Sequence, residues 1–432
     1  MLFSKYSSSL MALLVVTFLC SSFVFAFQPK GYNYDEAKVP AYTLPDPLTF
    51  EDGSPVRNAQ QWKTKRRAEI LHLFESEVYG KSPARPACLH FEQTSFSDTA
   101  LGGIAIRKEV SIWFNKQKTG PHLDLLIYLP KQKTPAPVFL TLNFKGSHSI
   151  SKDPQIKISE QWMRSSSNSG IVDHRATEKS RGVASSRWPV EMIIKRGYGL
   201  ATMYYGDIDP DFDDGFQNGV HPLFYKKGQT KPNADEWGSI AAWAWGLSRA
   251  LDYLETDRAV DAKKVAVMGH SRLGKTSLWA GATDERFAIV ISNDSGCGGA
   301  ALSRRHFGET VERINNVFPH WFCGNFKKYN ENEASLPVDQ HELIALIAPR
   351  AVYVASAKED TWADPHGEFL SLLHASKVYE LLGKKPIASK LWPQPNKPIT
   401  GSIGYHVRTG KHDVTDYDWN RYLDFADLQY GE

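Results

Sequence analysis

The 432-residue sequence predicts an α/β fold in three layers, a mostly parallel central sheet with helices on both faces. Three observations predict it. Short apolar runs rich in β-branched and aromatic residues recur along the chain; helical patterns separate several of them; and one run ends in a serine at a sharp turn into a helix, in VAVMGHSRLGKTSLW, Val265 to Trp279.

The candidate strands are residues 123–129, 138–143, 199–205, 264–268, 288–292, 351–356 and 403–407. Helical patterns cover 235–255, 338–347, 366–382 and 416–429. Strands alternating with helices imply parallel pairing with both sheet faces covered. Residues 27–115 contain one long helical pattern, 60–78, and otherwise look like extended packing. No repeat or linker appears, so residues 27–432 are expected to form a single domain. The polar stretch 147–187 is a long insertion after the 138–143 strand, expected to wall a cleft above the C-terminal edge of the sheet.

Composition excludes several function classes. With 42% hydrophobic and 12% aromatic residues the chain is globular, and a formal charge of +3 points to neither nucleic acid nor a basic membrane-surface protein. Lys5, the apolar run 10–25 and Val24-Phe25-Ala26 form a secretory signal, residues 1–26, cleaved after Ala26 and placing the mature chain in the periplasm or outside the cell. The run is shorter than the ~20 residues of a spanning helix, and no later segment could span a membrane.

Beyond that leader stand Cys88, Cys297 and Cys323. An exported chain permits one disulfide here, and Cys297 with Cys323 is the favoured pair because both lie in glycine-containing stretches; three buried thiols are the alternative. No Cys/His cluster has zinc spacing, and Asp207 to Gly215 misplaces the glycine of a calcium loop and lacks its closing glutamate. No metal or cofactor is expected, nothing demands more than a monomer, and the acidic loop is expected to be ordered near the sheet edge.

The serine turn has two readings. From Gly269, GHSRLGKT satisfies the phosphate-loop pattern, but such a loop usually opens its domain, whereas this one follows several strands in an exported chain. From Ser271 it is a nucleophile elbow. Chain order supports the elbow: Asp294, Asp360 and His412 follow, each just beyond a predicted strand, in the serine-acid-histidine order of an α/β-hydrolase. A serine hydroxyl needs an imidazole to take its proton, and the imidazole needs a carboxylate to fix its tautomer. His412 is preferred over His406, which lies inside a strand. Lys275, one helical turn after Ser271, can point into the same pocket.

The elbow departs from G-x-S-x-G, since Leu273 stands where the second glycine is usual and Gly274 follows it. Gly269-His270-Ser271-Arg272-Leu273-Gly274-Lys275 resembles the signature of the glucuronoyl esterases, carbohydrate esterase family 15. The resemblance runs through the C-terminal half and includes Asn293-Asp294-Ser295-Gly296-Cys297-Gly298-Gly299, His306-Phe307-Gly308-Glu309-Thr310, Glu359-Asp360-Thr361-Trp362-Ala363-Asp364-Pro365 and Gly410-Lys411-His412-Asp413. It implies hydrolysis of the ester between 4-O-methyl-glucuronic acid of glucuronoxylan and a lignin alcohol. It also implies Ser271 as nucleophile, His412 as base, Arg272 as oxyanion stabiliser, and Lys275, Glu309 and Trp362 as substrate-binding residues. The implied acid is Asp294 or Asp360, and the short reach of aspartate at 294 favours Asp360. An acetylxylan or feruloyl esterase with the same triad, and a non-catalytic carbohydrate-binding protein, are the alternatives.

Overall fold

A computed structural model describes residues 28–431, so the leader assigned to residues 1–26 lies outside the described residues. The strands are β1 His90–Ala100, β2 Ala105–Trp113, β3 His122–Pro130, β4 Ala136–Asn143, β5 Ile171–Val172, β6 Arg175–Ala176, β7 Gly199–Tyr204, β8 Val260–His270, β9 Ile289–Asn293, β10 Ala351–Ala357 and β11 Ile403–Arg408. Nine of them form one sheet in the order β1-β2-β3-β7-β4-β8-β9-β10-β11. Pairing is antiparallel from β1 through β7 and parallel from β7 to β11.

The helices are α1 Ala59–Gln61, α2 Arg67–Glu77, α3 Val190–Lys195, α4 Ser239–Leu254, α5 Arg272–Thr283, α6 Val311–Val317, α7 Gln340–Ala345, α8 Pro365–Leu381 and α9 Asp416–Tyr430. A π-helical stretch, Trp62–Arg66, joins α1 to α2, so the 60–78 pattern is one interrupted helix. Apolar residues of α2, α4, α5, α7 and α8 pack on one sheet face with Val138, Leu140 and Val267. Those of α3 and α9 pack on the other with Phe139, Ala266 and Met268. Neighbouring strand residues thus enter opposite cores, and β4, β7, β10 and β11 are buried along their whole lengths. This is the three-layer α/β-hydrolase architecture.

Two expectations are corrected. Within the stretch read only as extended packing, residues 90–113 form two paired strands of the sheet, β1 and β2; β1 is an edge strand with many half-exposed or exposed positions, which hides its signal. Cys297 and Cys323 are both free and buried, not bridged. Cys323 turns its Sγ toward the Ser76 carbonyl, 3.7 Å away. The Phe322 ring packs so closely on Gly298 that a Cβ there would lie 2.4 Å from it, so the two stretches meet through an aromatic ring instead of through sulfur.

The 147–187 insertion is folded into short 3-10 turns and the β5–β6 hairpin. Its last residue, Arg187, ion-pairs with Asp413 at 2.5 Å, so it braces the rim beside His412. The parallel run β8-β9-β10-β11 brings four successive strand ends to one edge, and the site is built there.

Candidate active site

Ser271 sits between β8 and α5 with φ 60° and ψ −127°, a conformation costly for any residue with a side chain. Neighbouring groups hold it there: its N–H donates to Asn293 O at 2.8 Å, and its carbonyl accepts from Gly274 N–H at 2.8 Å and Lys275 N–H at 3.2 Å. A Cβ at Gly269 would lie 1.8 Å from the Leu273 carbonyl oxygen, so the turn can close only over glycine. The shifted second glycine also has a reason. Leu273 is buried in the core, while α5 passes the end of β9 so closely at Gly274 that a Cβ would stand 3.0 Å from Ser295 Cβ and 3.1 Å from Asn293 O.

His412 lies in the loop after β11, with its side chain 42% exposed and its Nδ1 2.6 Å from Asp360 Oδ2. The His270 ring packs against it at 4.5 Å between centroids. Burial and the neighbouring His412 push the His270 imidazole well below the usual histidine range, so His270 stays neutral. Asp294 has other company: the Asp413 N–H at 3.4 Å and the Arg408 guanidinium at 3.6 Å, both at Oδ2. Its Oδ1 has no hydrogen-bond partner among the described residues. Burial, then the charge of Asp360, raises its carboxyl well above the usual range. Asp294, Asp360 and His412 have donor atoms within 4.8 Å of one another, close enough to share a cation, although Asp360 and His412 already engage each other there.

Arg272 opens α5, so its N–H belongs to the first helical turn, where amides lack intrahelical partners. Its guanidinium ion-pairs with Asp211 and lies 4.8 Å from the Trp321 ring centroid. Asp211 also accepts from Tyr205 Oη at 3.0 Å, His320 Nε2 at 3.0 Å and Trp321 Nε1 at 2.7 Å. Burial alone would raise its carboxyl, but the His320 hydrogen bond and the Arg272 charge hold it well below the usual carboxylate range. Asp211 is a residue of the acidic loop, which is ordered as expected, with its carboxylate spent on an arginine.

Lys275 is buried and donates to the Ser295 carbonyl. Burial lowers its ammonium below the usual lysine range, against the pull of Glu309. Glu309 is raised by burial and partly stabilised by Lys275, Arg272 and a hydrogen bond from the Trp362 side chain. The Glu309 N–H donates to the Trp362 carbonyl at 3.0 Å, which ties the two segments together.

A cleft of about 320 Å³ collects these groups. It is lined by Ser271, Arg272, Lys275, Asp294, Glu309, Asp360, Trp362 and His412, every site residue singled out from the sequence. The insertion contributes no lining residue, contrary to expectation. Phe318 and Trp321 complete one wall, stacked with centroids 3.7 Å apart, and sequence reasoning missed both. The aromatic run Val317-Phe318-Pro319-His320-Trp321 was the available signal. Trp362, also in the lining, is backed by an N-terminal strap: Tyr32 meets Trp362 edge-on at 5.0 Å, and Asn33 O accepts from Gly308 N–H at 2.8 Å.

Comparison with known proteins places the chain in a family. Residues 215–383 match a family model described as glucuronyl esterase, fungi. The carbohydrate esterase MZ0003, from an unknown prokaryotic organism, is 58% identical over 401 residues, covering 93% of this chain and 92% of that one. A 4-O-methyl-glucuronoyl methylesterase of Wolfiporia cocos strain MD-104 is 27% identical over 82% of this chain and 74% of its own. The solved glucuronoyl esterase from Solibacter usitatus superposes with a TM-score of 0.87 at 54% identity, covering 91% of this chain and all of that one. On this evidence the chain belongs to the glucuronoyl esterases of carbohydrate esterase family 15, which are carboxylic ester hydrolases.

Proposed function

We propose that residues 27–432 act as a single-domain, monomeric serine esterase, exported by the leader, that cleaves esters between 4-O-methyl-glucuronic acid of glucuronoxylan and lignin alcohols. The observation that carries this reading is the convergence of Ser271, His412 and Asp360 in one cleft with Lys275, Glu309 and Trp362, with His412 Nδ1 2.6 Å from Asp360. The name of the fungal methylesterase relative supports the choice of substrate.

In this mechanism His412 Nε2 takes the Ser271 proton as Oγ attacks the C6 carbonyl of the uronate. Asp360, on Nδ1, fixes the tautomer and stabilises the imidazolium. The tetrahedral oxyanion forms near the Arg272 N–H and guanidinium, where each donor is worth about 3 kcal/mol. Collapse expels the alcohol, which takes the proton from His412 and leaves a glucuronoyl-serine. Water, deprotonated by His412, then repeats the attack and releases the acid. Lys275, Glu309 and Trp362 hold the sugar hydroxyls and carboxyl end, and Phe318 with Trp321 gives the cleft its apolar wall.

The test is hydrolysis of benzyl glucuronate beside an acetylated sugar, by the chain from Phe27 onward and its Ser271→Ala variant. Turnover of the uronate ester that the variant lacks, with little on acetate, is expected. Acetate turnover alone would overturn the substrate assignment, and no turnover on either would overturn the esterase reading.

A further inference from the structure

Arg408 ends β11 four residues before His412, is 4% exposed, and holds the chain that carries the histidine. One nitrogen, Nη2, donates to the carbonyl of Lys411 at 2.9 Å and to that of Asp413 at 2.6 Å, the two residues flanking His412. Nη1 donates to the Thr409 carbonyl at 3.3 Å. Between these contacts Gly410 crosses the guanidinium at φ 109°, where an added Cβ would lie 3.1 Å from Nη1. The loop therefore folds around the arginine fork.

The cation is itself fixed. Its Nε donates to Asp418 at 2.8 and 3.1 Å, and Asp418 also accepts from Thr415 N–H at 2.7 Å, from Thr415 Oγ1 at 2.8 Å and from His406 Nε2 at 2.9 Å. That carboxylate caps α9, so strand end, loop and helix start share one buried ion pair. On its other side Nη2 lies 3.6 Å from Asp294 Oδ2, which places positive charge behind the acid nearest the Asp360–His412 pair.

We infer that Arg408 is a positioning residue for His412: it sets the height and tilt of the imidazole by gathering the carbonyls on either side of it. This rests on the proposed role of His412 as general base. A lysine cannot replace it, because a single ammonium cannot span Asp418 and three carbonyls that converge on a planar fork. The imidazole has to meet Ser271 and the leaving oxygen in turn, and displacement by about 1 Å costs on the order of 100-fold.

The experiment is steady-state hydrolysis of benzyl glucuronate by the wild type, Ser271→Ala, Arg408→Met and Arg408→Ala, the last with and without millimolar guanidinium. With wild-type turnover present and absent in Ser271→Ala, the expected result is a fall in kcat of about 100-fold in both arginine variants, KM within about twofold, and partial recovery of kcat with guanidinium. A folded Arg408→Met with kcat within about threefold of wild type would overturn the inference, as would a loss carried by KM alone. Should the Met and Ala variants fail to fold, Arg408→Lys, which keeps a cation beside Asp418, carries the same kcat test. An inactive wild type would instead remove the esterase reading on which the inference rests.

Discussion

The guanidinium of Arg272, at the first position of the helix after the elbow, is ion-paired with the carboxylate of Asp211, 61 positions earlier in the chain. The pair fixes the direction from which a cation faces the cleft. Asp211→Asn keeps acceptors for His320 and Trp321 but removes the charge that orients Arg272. The expected outcome is a loss of kcat on benzyl glucuronate of about 10- to 100-fold, less than full removal of one oxyanion donor because Arg272 stays but is no longer oriented, read by steady-state kinetics with melting temperature as the check on folding.

The two acids should separate by mutation. Asp360 is hydrogen-bonded to His412, whereas Asp294 is raised by burial and turned toward Arg408. Asp360→Asn is expected to lower kcat by about 10³-fold or more, as loss of a histidine's orienting carboxylate does. Asp294→Asn should lower it by less than about tenfold. The reverse ranking in measured kcat would move the triad acid to Asp294.

At the elbow, Gly269→Ala places a methyl 1.8 Å from the Leu273 carbonyl oxygen, and backbone has to move. We expect a loss of about 3 kcal/mol of stability and no detectable turnover. Denaturant titration and the benzyl glucuronate assay read the two effects separately.

The strap behind Trp362 predicts a binding effect. Tyr32→Ala removes the edge-on ring that backs the tryptophan, without touching Ser271 or His412. KM for the uronate ester should rise by about three- to tenfold with kcat little changed, in line with the loss of one aromatic pair.

Acid sensitivity has an identifiable contributor in His148. Its Nδ1 accepts from Ser159 N–H at 3.3 Å and its Nε2 lies 2.8 Å from Ser180 Oγ. Burial pushes the ring down to about 4, with the Arg181 charge adding to the effect. A folded value below the unfolded value near 6.5 means that the unfolded chain binds the extra proton between those limits. Stability from this group is therefore complete above about pH 6.5 and is lost as pH falls toward 4, by about 3 kcal/mol. His148→Asn should flatten that part of the stability–pH curve, measured by urea unfolding at pH 6.5 and 4.5.

Much of this molecule is legible in its sequence where burial is two-sided. β4, β7 and β10 read as continuous apolar runs because helices cover both faces, and Ser271, Asp360 and His412 announce themselves by following such runs in order. β1 does not, because much of it faces water at the sheet edge. Lys275 is visible from helical spacing; Trp362, after an acidic turn, reads equally as core or site, and Glu309 has no local signal and stands out only through family resemblance. Asp211 is the instructive miss. It sits in an acidic run whose local pattern suggests an incomplete cation loop, and the guanidinium that explains it is brought near only by folding. Phe318 and Trp321 are hidden similarly, since an aromatic run of that kind is as consistent with core as with a cleft wall.

The unbridged sulfurs have a practical consequence. Cys297 and Cys323 are held by packing, and burial raises both thiols above the usual range, Cys323 to about 11, so few thiolates form at neutral pH. The native state then draws nothing from oxidation. Production in a reducing cytosol should yield the same active enzyme as production in an oxidising compartment, and dithiothreitol should leave its melting temperature unchanged.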